Sequence, residues 1–170
     1  MQRRHPGSRR GLELPPVGRR PVSFRFLLLG SVLPMVVGGV VYLLFRNTHM
    51  LMFRWVDLLG WTPALMDARH LAAPIRQWLP GWLLFSLPDG AWVFSCTAFF
   101  AHLWPDGPGW MRWGWIGLGS ALAAGGEIGQ VLGLVPGTFD GRDLVAYLAA
   151  AGLALLVTHR WGRRAVAATA

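Results

Sequence analysis

The sequence predicts an all-α membrane protein, a polytopic bundle of four transmembrane helices with both ends of the chain in the cytoplasm. The 170 residues are 54% hydrophobic and only 14% charged, whereas soluble domains average about 25% charged residues. Seven of the sixteen arginines lie within the first 25 residues and three more within 160–164, so long apolar segments separate two basic ends. This distribution is typical of membrane topology and does not indicate a nucleic-acid interface.

The first 45 residues predict a basic tail and one span. Residues 1–22 are rich in Arg, Pro and Gly, and we expect a disordered cytoplasmic tail that anionic lipids attract. The apolar stretch 24–45 holds about 20 apolar residues, enough to cross about 30 Å of hydrocarbon. Pro34 should kink this helix, which membrane neighbours tolerate, and Arg46 should end it.

The long connection over 46–87 predicts an amphipathic helix in the membrane interface between the first two spans. Its apolar side chains recur at helical spacing with charged residues between them, and the segment is too short and too charged to cross. Pro88 and Asp89 are residue types favoured in the first turn of a helix, so the second span should begin near 88.

The remaining spans are predicted over 88–104, 110–134 and 143–159, followed by a short cytoplasmic tail over 161–170. The four-helix domain therefore occupies 23–160. Two basic ends in the cytoplasm require an even number of spans. With this topology the tryptophans form two interfacial belts, an inner one (Trp104, Trp110, Trp113, Trp115, Trp161) and an outer one (Trp55, Trp61, Trp78, Trp82, Trp92).

Acidic residues predict a site at the outer end of the bundle. Glu127 lies inside the third predicted span, and a carboxylate there is costly unless it is paired, protonated or solvated. Other polar residues fall at the same end, with Arg76 and Arg142 as the nearest candidate counter-charges. The candidate ligand-binding residues are Asp89, Glu127, Gln130, Asp140, Asp143 and Tyr147.

Each acid also has a purely structural interpretation. Asp89, Asp140 and Asp143 could cap helices, because aspartate favours a helix N-terminus. Glu127 could form a hydrogen bond across helices to Ser95, Thr97 or Tyr147. The small residues Gly125, Gly129 and Gly133, and likewise Ala146, Ala150 and Ala154, form ridges that predict close helix packing.

One motif pair resembles a known family. Glu127-Ile-Gly-Gln130, followed by Gly137-Thr138-Phe139-Asp140-Gly-Arg-Asp143-Leu144, is similar to the paired motifs of the VanZ-like family, small bacterial four-helix membrane proteins named for a teicoplanin-resistance factor. The resemblance covers about a third of the chain and implies roles for Glu127, Gln130, Asp140 and Asp143. Tyr147 and Ala150 stand where the family usually has Asn and Gly.

These observations predict an inner-membrane protein of the bacterial cell envelope. Its outward carboxylate pocket would bind a lipid or cell-wall precursor headgroup, or a cation. The alternative is a structural or accessory subunit that packs against another membrane protein or a second copy of itself. A membrane enzyme or transporter ranks third, because the sequence contains no Ser-His-Asp order, zinc-ligand spacing or phosphate loop. We expect no metal and no cofactor, and the single Cys96 excludes an internal disulfide.

Overall fold

Every element of the structure is a helix in the part of the chain that the computed structural model describes, which is 23–49, 51–104, 109–135 and 139–167. The predicted tail over 1–22 lies outside these residues. We number the helices in chain order as α1 (Phe24–Phe45), α2 (Leu51–Leu58), α3 (Thr62–Arg76), α4 (Gly81–Leu103), α5 (Gly109–Val131) and α6 (Gly141–Ala167).

Three of these helices are long and apolar enough to cross a membrane, namely α1, α4 and the Gly141–Arg163 part of α6. The all-helical membrane class predicted from the sequence is therefore supported by three spans, where four were expected. Helix α5 also has 23 residues, but Arg112, Glu127 and Gln130 together with many glycines dilute its apolar character.

The predicted start of the second span, near residue 88, was wrong. Helix α4 begins at Gly81, after Pro80 in an extended conformation, and Pro88 and Asp89 lie inside it. Asp89 is therefore not a helix cap. Proline within a membrane helix is tolerated where other groups satisfy the backbone oxygens that it frees. Pro88 removes the N–H that would otherwise bond to the Leu84 carbonyl, and Arg46 Nη2 donates to the neighbouring Phe85 carbonyl at 2.8 Å.

The C-terminal boundaries of the last two helices also differ from the prediction. Helix α5 ends at Val131, where the sequence predicted 134, because Gly133 adopts a φ of 69°. The Leu134 N–H bonds to the Gly129 carbonyl and the Gly133 N–H to the Gln130 carbonyl, a Schellman ending. Helix α6 continues to Ala167, so the tail predicted over 161–170 is helical as far as it is described.

Two short helices form the connection for which the sequence predicted one interfacial helix. Helices α2 and α3 are joined by a turn in which Gly60 adopts a φ of 70°. Helix α3 packs against α1 and the start of α4 through Phe45, Ala72 and Leu84. Leu58 and Trp61 remain exposed, as an interfacial segment requires.

Helix α4 is the centre of the bundle and contacts α1, α5 and α6. Small residues permit these contacts. A Cβ added at Gly38 of α1 would lie 2.9 Å from Ala91 Cβ, and one added at Gly119 of α5 would lie 2.9 Å from Cys96 Cβ. The alanine ridge of α6 faces α4, since Ala150 approaches Gly90 and Ala154 packs against Ala98.

The predicted packing ridge of Gly125, Gly129 and Gly133 is not a helix contact. Among the described residues, a Cβ at Gly125 or Gly133 would meet nothing within 4 Å, and one at Gly129 would meet only Val135 of the following turn. The spacing of small residues is common in membrane helices, and here the last glycine serves to end the helix.

The two ends of the bundle are defined by contacts between helices. At one end the Ser23 N–H donates to His102 Nε2 at 2.9 Å, and Phe26 packs against His102 and Trp161. The start of α1 therefore lies beside the ends of α4 and α6. The end of α1, the first half of α4, the end of α5 and the start of α6 meet at the opposite end, which we call the polar end.

Candidate functional site

Glu127 is buried at the polar end, with 6% of its surface exposed. Its Oε2 accepts a hydrogen bond from the Asp140 N–H at 3.2 Å, and its Oε1 accepts one from the Tyr147 hydroxyl at 3.5 Å. Of the three partners that the sequence suggested, the structure selects Tyr147. These two bonds satisfy a group that would otherwise be costly to bury.

Asp89 forms an ion pair with Arg46 across α4 and α1, with 2.8 Å between Asp89 Oδ2 and Arg46 Nη2. The side chains are 34% and 20% exposed. The guanidinium group also lies over the rings of Tyr42 and Phe85. Sequence reasoning named Arg76 and Arg142 as counter-charges and missed Arg46, although a lone arginine directly after an apolar span was a usable signal.

The two aspartates at the start of α6 have different roles. The exposed Asp140 accepts the Arg142 N–H at 2.9 Å through Oδ1, which is the capping arrangement that the sequence allowed. Asp143 Oδ1 instead accepts the Ser86 hydroxyl of α4 at 2.6 Å. Asp143 therefore joins α6 to α4, and the Asp140 backbone joins α6 to Glu127.

Three carboxylates from three helices converge at this point. Asp89 is close enough to Asp143 and Glu127 for their charges to interact, and Tyr147 lies within range of all three. Gln130 does not join the network by a hydrogen bond, because its Oε1 is buried without a partner among the described residues. We call Asp89, Glu127, Asp143 and Tyr147 the acidic network.

A cavity of about 330 Å³ opens beside the acidic network, within the size range of ligand pockets. Asp89 and Tyr147 supply its polar groups, and the other lining residues are apolar or small: Trp92, Val93, Cys96, Gly119, Leu122 and Ala123. We call it the acidic cavity. This combination suits a ligand with one polar and one apolar part.

A second cavity, of about 360 Å³, lies on the other side of the Arg46–Asp89 pair. Its charged lining residues are Arg46, Arg69 and Arg76, and we call it the arginine cavity. The Arg69 guanidinium donates to the carbonyls of Leu43 and Arg46 at the end of α1. Nothing in the sequence pattern indicated that these three arginines share one cavity, because they come from α3 and the residue after α1.

Among the described residues, no group of three or more His, Cys, Asp and Glu side chains is arranged to hold a metal ion. Comparison of the chain with family models, curated proteins and solved structures finds no match.

Proposed function

We propose that this chain is a four-span protein of the bacterial inner membrane that binds the polar headgroup of a lipid or cell-wall precursor at its outward end. The convergence of Asp89, Glu127 and Asp143 beside the acidic cavity, which Asp89 lines, carries the proposal. Carboxylates are expensive inside a membrane bundle, and they mark functional sites there by default. The apolar walls of the acidic cavity suit the hydrocarbon part of such a ligand, and Asp89 and Tyr147 its polar part.

The proposed topology makes α5 the fourth span. At about 1.5 Å per residue its 23 residues reach about 34 Å, enough to cross the hydrocarbon. It packs against α4 with its polar end beside the start of α6, as an up-and-down bundle requires. The arginine-rich chain ends then share the cytoplasmic side, in agreement with the positive-inside rule, and the acidic network faces outward.

Membership of the VanZ-like family is part of the same proposal. Two of the motif residues that the resemblance marks, Glu127 and Asp140, contact each other directly, and a third, Asp143, binds α4 beside them. Residues of both motifs that lie on two successive helices and meet at one place support a shared role. Gly137 and Thr138 of the second motif lie outside the described residues.

Glu127→Gln tests whether the acidic network is a site or only a structural tie. Glutamine keeps the volume and one acceptor oxygen, so we expect the melting temperature in detergent to change little and resistance to envelope stress to be lost. Asp67→Asn, at an exposed position of α3, is the matched control. If Glu127→Gln lowers the melting temperature as well as the stress resistance, the loss of resistance follows from instability, and this result would contradict the proposal.

A second variant tests the cavity itself. Ala123→Leu adds bulk to the wall of the acidic cavity without removing a member of the network. We expect the variant to co-purify with less bound lipid, as measured by mass spectrometry, at an unchanged melting temperature. Unchanged lipid content would contradict binding in this cavity.

The alternative function, an accessory subunit or homo-oligomer, is favoured by one face of α5. Gly114, Leu118, Ala121, Gly125 and Ile128 recur at helical spacing and are all exposed. Small residues on an exposed face allow another helix to approach closely. Stoichiometric co-purification of a second membrane protein, lost in Gly125→Leu, would support this alternative.

A further inference from the structure

The arginine cavity is built so that two of its three positive charges are held in place. Arg69 donates to the carbonyls that end α1, and its guanidinium carbon lies 5.3 Å from the centre of the Phe53 ring. Arg46 is held by Asp89 and by the rings of Tyr42 and Phe85. These two arginines therefore have little side-chain entropy left to lose when a ligand binds, which favours affinity.

The free hydrogen-bond donors of this cavity belong to one of its arginines. Arg76, in the last turn of α3, is exposed, and its guanidinium meets no acceptor in the described part of the chain. Arg76 lines the cavity together with Arg46 and Arg69.

The charge balance of the cavity favours an anion. Three guanidinium groups line the cavity, and only that of Arg46 is paired with a carboxylate, Asp89, which leaves two positive charges in excess. Arginine is the side chain best suited to bind phosphate, because its planar fork offers parallel N–H donors. The carbonyls at the end of α1 accept hydrogen bonds from part of the Arg69 guanidinium. Arg76 keeps all of its guanidinium N–H donors for a ligand.

The ion pair also places this cavity next to the acidic one. Arg46 lines the arginine cavity, Asp89 lines the acidic cavity, and their side chains are 2.8 Å apart. A ligand whose headgroup lies across this pair would meet arginine on one side and carboxylate, tyrosine hydroxyl and apolar walls on the other.

We propose that the arginine cavity binds the phosphate group of a phospholipid. The inference rests on the proposed function, whose ligand it specifies as phosphate-bearing. Arg76 contributes the main free recognition group, and Arg46 and Arg69 supply positive charge. The apolar part of the same lipid then follows the acidic cavity or the outer surface of α4.

The test measures binding of dioleoyl phosphatidic acid to the full chain in neutral detergent, with dioleoylglycerol, which has the same acyl chains and no phosphate, as the comparison ligand. We expect phosphatidic acid to raise the melting temperature and dioleoylglycerol to have little effect. Arg76→Gln should weaken phosphatidic acid binding about tenfold, as expected for one charge-assisted contact. Arg76→Lys should recover part of the loss.

Arg142→Gln is the matched control, because Arg142 is an exposed arginine of the same end that does not line the cavity. The Arg142→Gln variant should bind phosphatidic acid with the same affinity as the wild type. Equal weakening by both substitutions would show general surface attraction and overturn the proposal, and so would equal binding of the two lipids. Inorganic phosphate that binds as tightly as phosphatidic acid would overturn the lipid source and leave a free anion as the ligand.

The same measurement separates this inference from the proposed function. Glu127→Gln and Ala123→Leu alter the acidic side only, so phosphatidic acid should retain its dependence on Arg76 in both variants. If those variants leave stress resistance and co-purified lipid unchanged while Arg76→Gln still weakens binding, the acidic site fails and the phosphate site stands. If instead those variants lose stress resistance and co-purified lipid while Arg76→Gln binds phosphatidic acid like the wild type, the phosphate site alone is overturned.

Discussion

The Arg46–Asp89 pair connects the end of α1 to the middle of α4. Its two side chains are 20% and 34% exposed, so neither is fully hydrated nor fully withdrawn from solvent. Attraction between charges is stronger in such a place than on an open surface, and a charge left without its partner is more costly. The main energetic effect of the pair is therefore the cost of the unpaired charge that remains when one partner is removed.

Asp89→Asn should lower the free energy of unfolding in detergent by about 1–3 kcal/mol, less than the cost of breaking a fully buried pair. The cause is the Arg46 charge, which would keep only the Phe85 carbonyl and the aromatic rings as partners. Denaturant titration of the purified chain measures this difference. In the double variant Arg46→Gln/Asp89→Asn the loss should be smaller than the sum of the two single losses, and strict additivity would contradict the coupling.

Tyr147→Phe removes one of the two hydrogen bonds to Glu127. We expect a loss of about 1 kcal/mol or less, because the bond is long and the Asp140 N–H remains. Tyr42→Phe is the control, since the Tyr42 hydroxyl has no hydrogen-bond partner within the described ranges and phenylalanine keeps the ring beneath Arg46. If both substitutions have the same effect in denaturant titration, the Tyr147 hydroxyl contributes nothing to stability.

Acidic residues of the site were predictable one by one, but their partners were not. Asp89, Glu127 and Asp143 stand out because carboxylates are scarce in apolar segments. Arg46 is 43 positions from Asp89, and Ser86 is 57 positions from Asp143. Such pairs depend on how the helices rotate and pack, which no local spacing encodes. The same reason explains why Gln130 shares a helix with Glu127 yet does not share its network.

The contact between α1 and α4 depends on one glycine. A Cβ at Gly38 would lie 2.9 Å from Ala91 Cβ and 3.0 Å from the Pro88 carbonyl oxygen, so the backbones would have to separate. Gly38→Ala should therefore cost about 1–3 kcal/mol, as overpacking commonly does. The measurement is again the free energy of unfolding in detergent.

Gly39→Ala is the matched control for that substitution, because a Cβ at this neighbouring position meets nothing within 4 Å in the part of the chain that the structure describes. Alanine should be neutral there or stabilise the helix by about 0.5–1 kcal/mol. A destabilisation of equal size at both positions would show that the close approach of α1 and α4 is not responsible.

Helix existence was easier to predict than helix boundaries. Apolar length indicated α1, α4 and α6, but Pro88 and Asp89 looked like a helix start because both residues favour first turns. In the structure Pro88 is fully buried against its neighbours, and packing decides the matter against local preference. The glycine ridge of α5 predicted a helix contact that is not formed, because a spacing that allows close packing does not require it.

At the scale of the whole molecule, the proposed topology predicts which positions face which side. In a Cys96→Ser background, cysteines at Leu134 and Arg142 should react with a membrane-impermeant maleimide in intact cells. Cysteines at Trp110 and Arg163 should react only after permeabilisation. All four positions are exposed, so accessibility across the membrane decides the labelling. Reaction of Trp110→Cys in intact cells would show that α5 does not cross.

The all-helical class of the molecule was easier to predict from composition than any of its details. A low charged fraction and long apolar segments already required helices, because only helices and closed barrels satisfy the backbone in a bilayer. The central position of α4 could not be predicted, since it results from small residues on three of its faces, each matched to a different neighbour.

The π-helical turn at Leu27–Val32 has a consequence for the register of α1. Its closing bond joins the Leu33 N–H to the Leu28 carbonyl, so the turn holds one residue more than an α-helical turn would. Each added residue rotates the following helix by about 100°, and π-bulges take up that extra residue locally. Phe26 and Gly38 can thus both face the bundle interior although an uninterrupted α-helix would turn one of them away. A related chain with one residue fewer in this turn would keep the contacts of both Phe26 and Gly38. If such a chain were aligned with this one, the one-residue gap would belong in this turn.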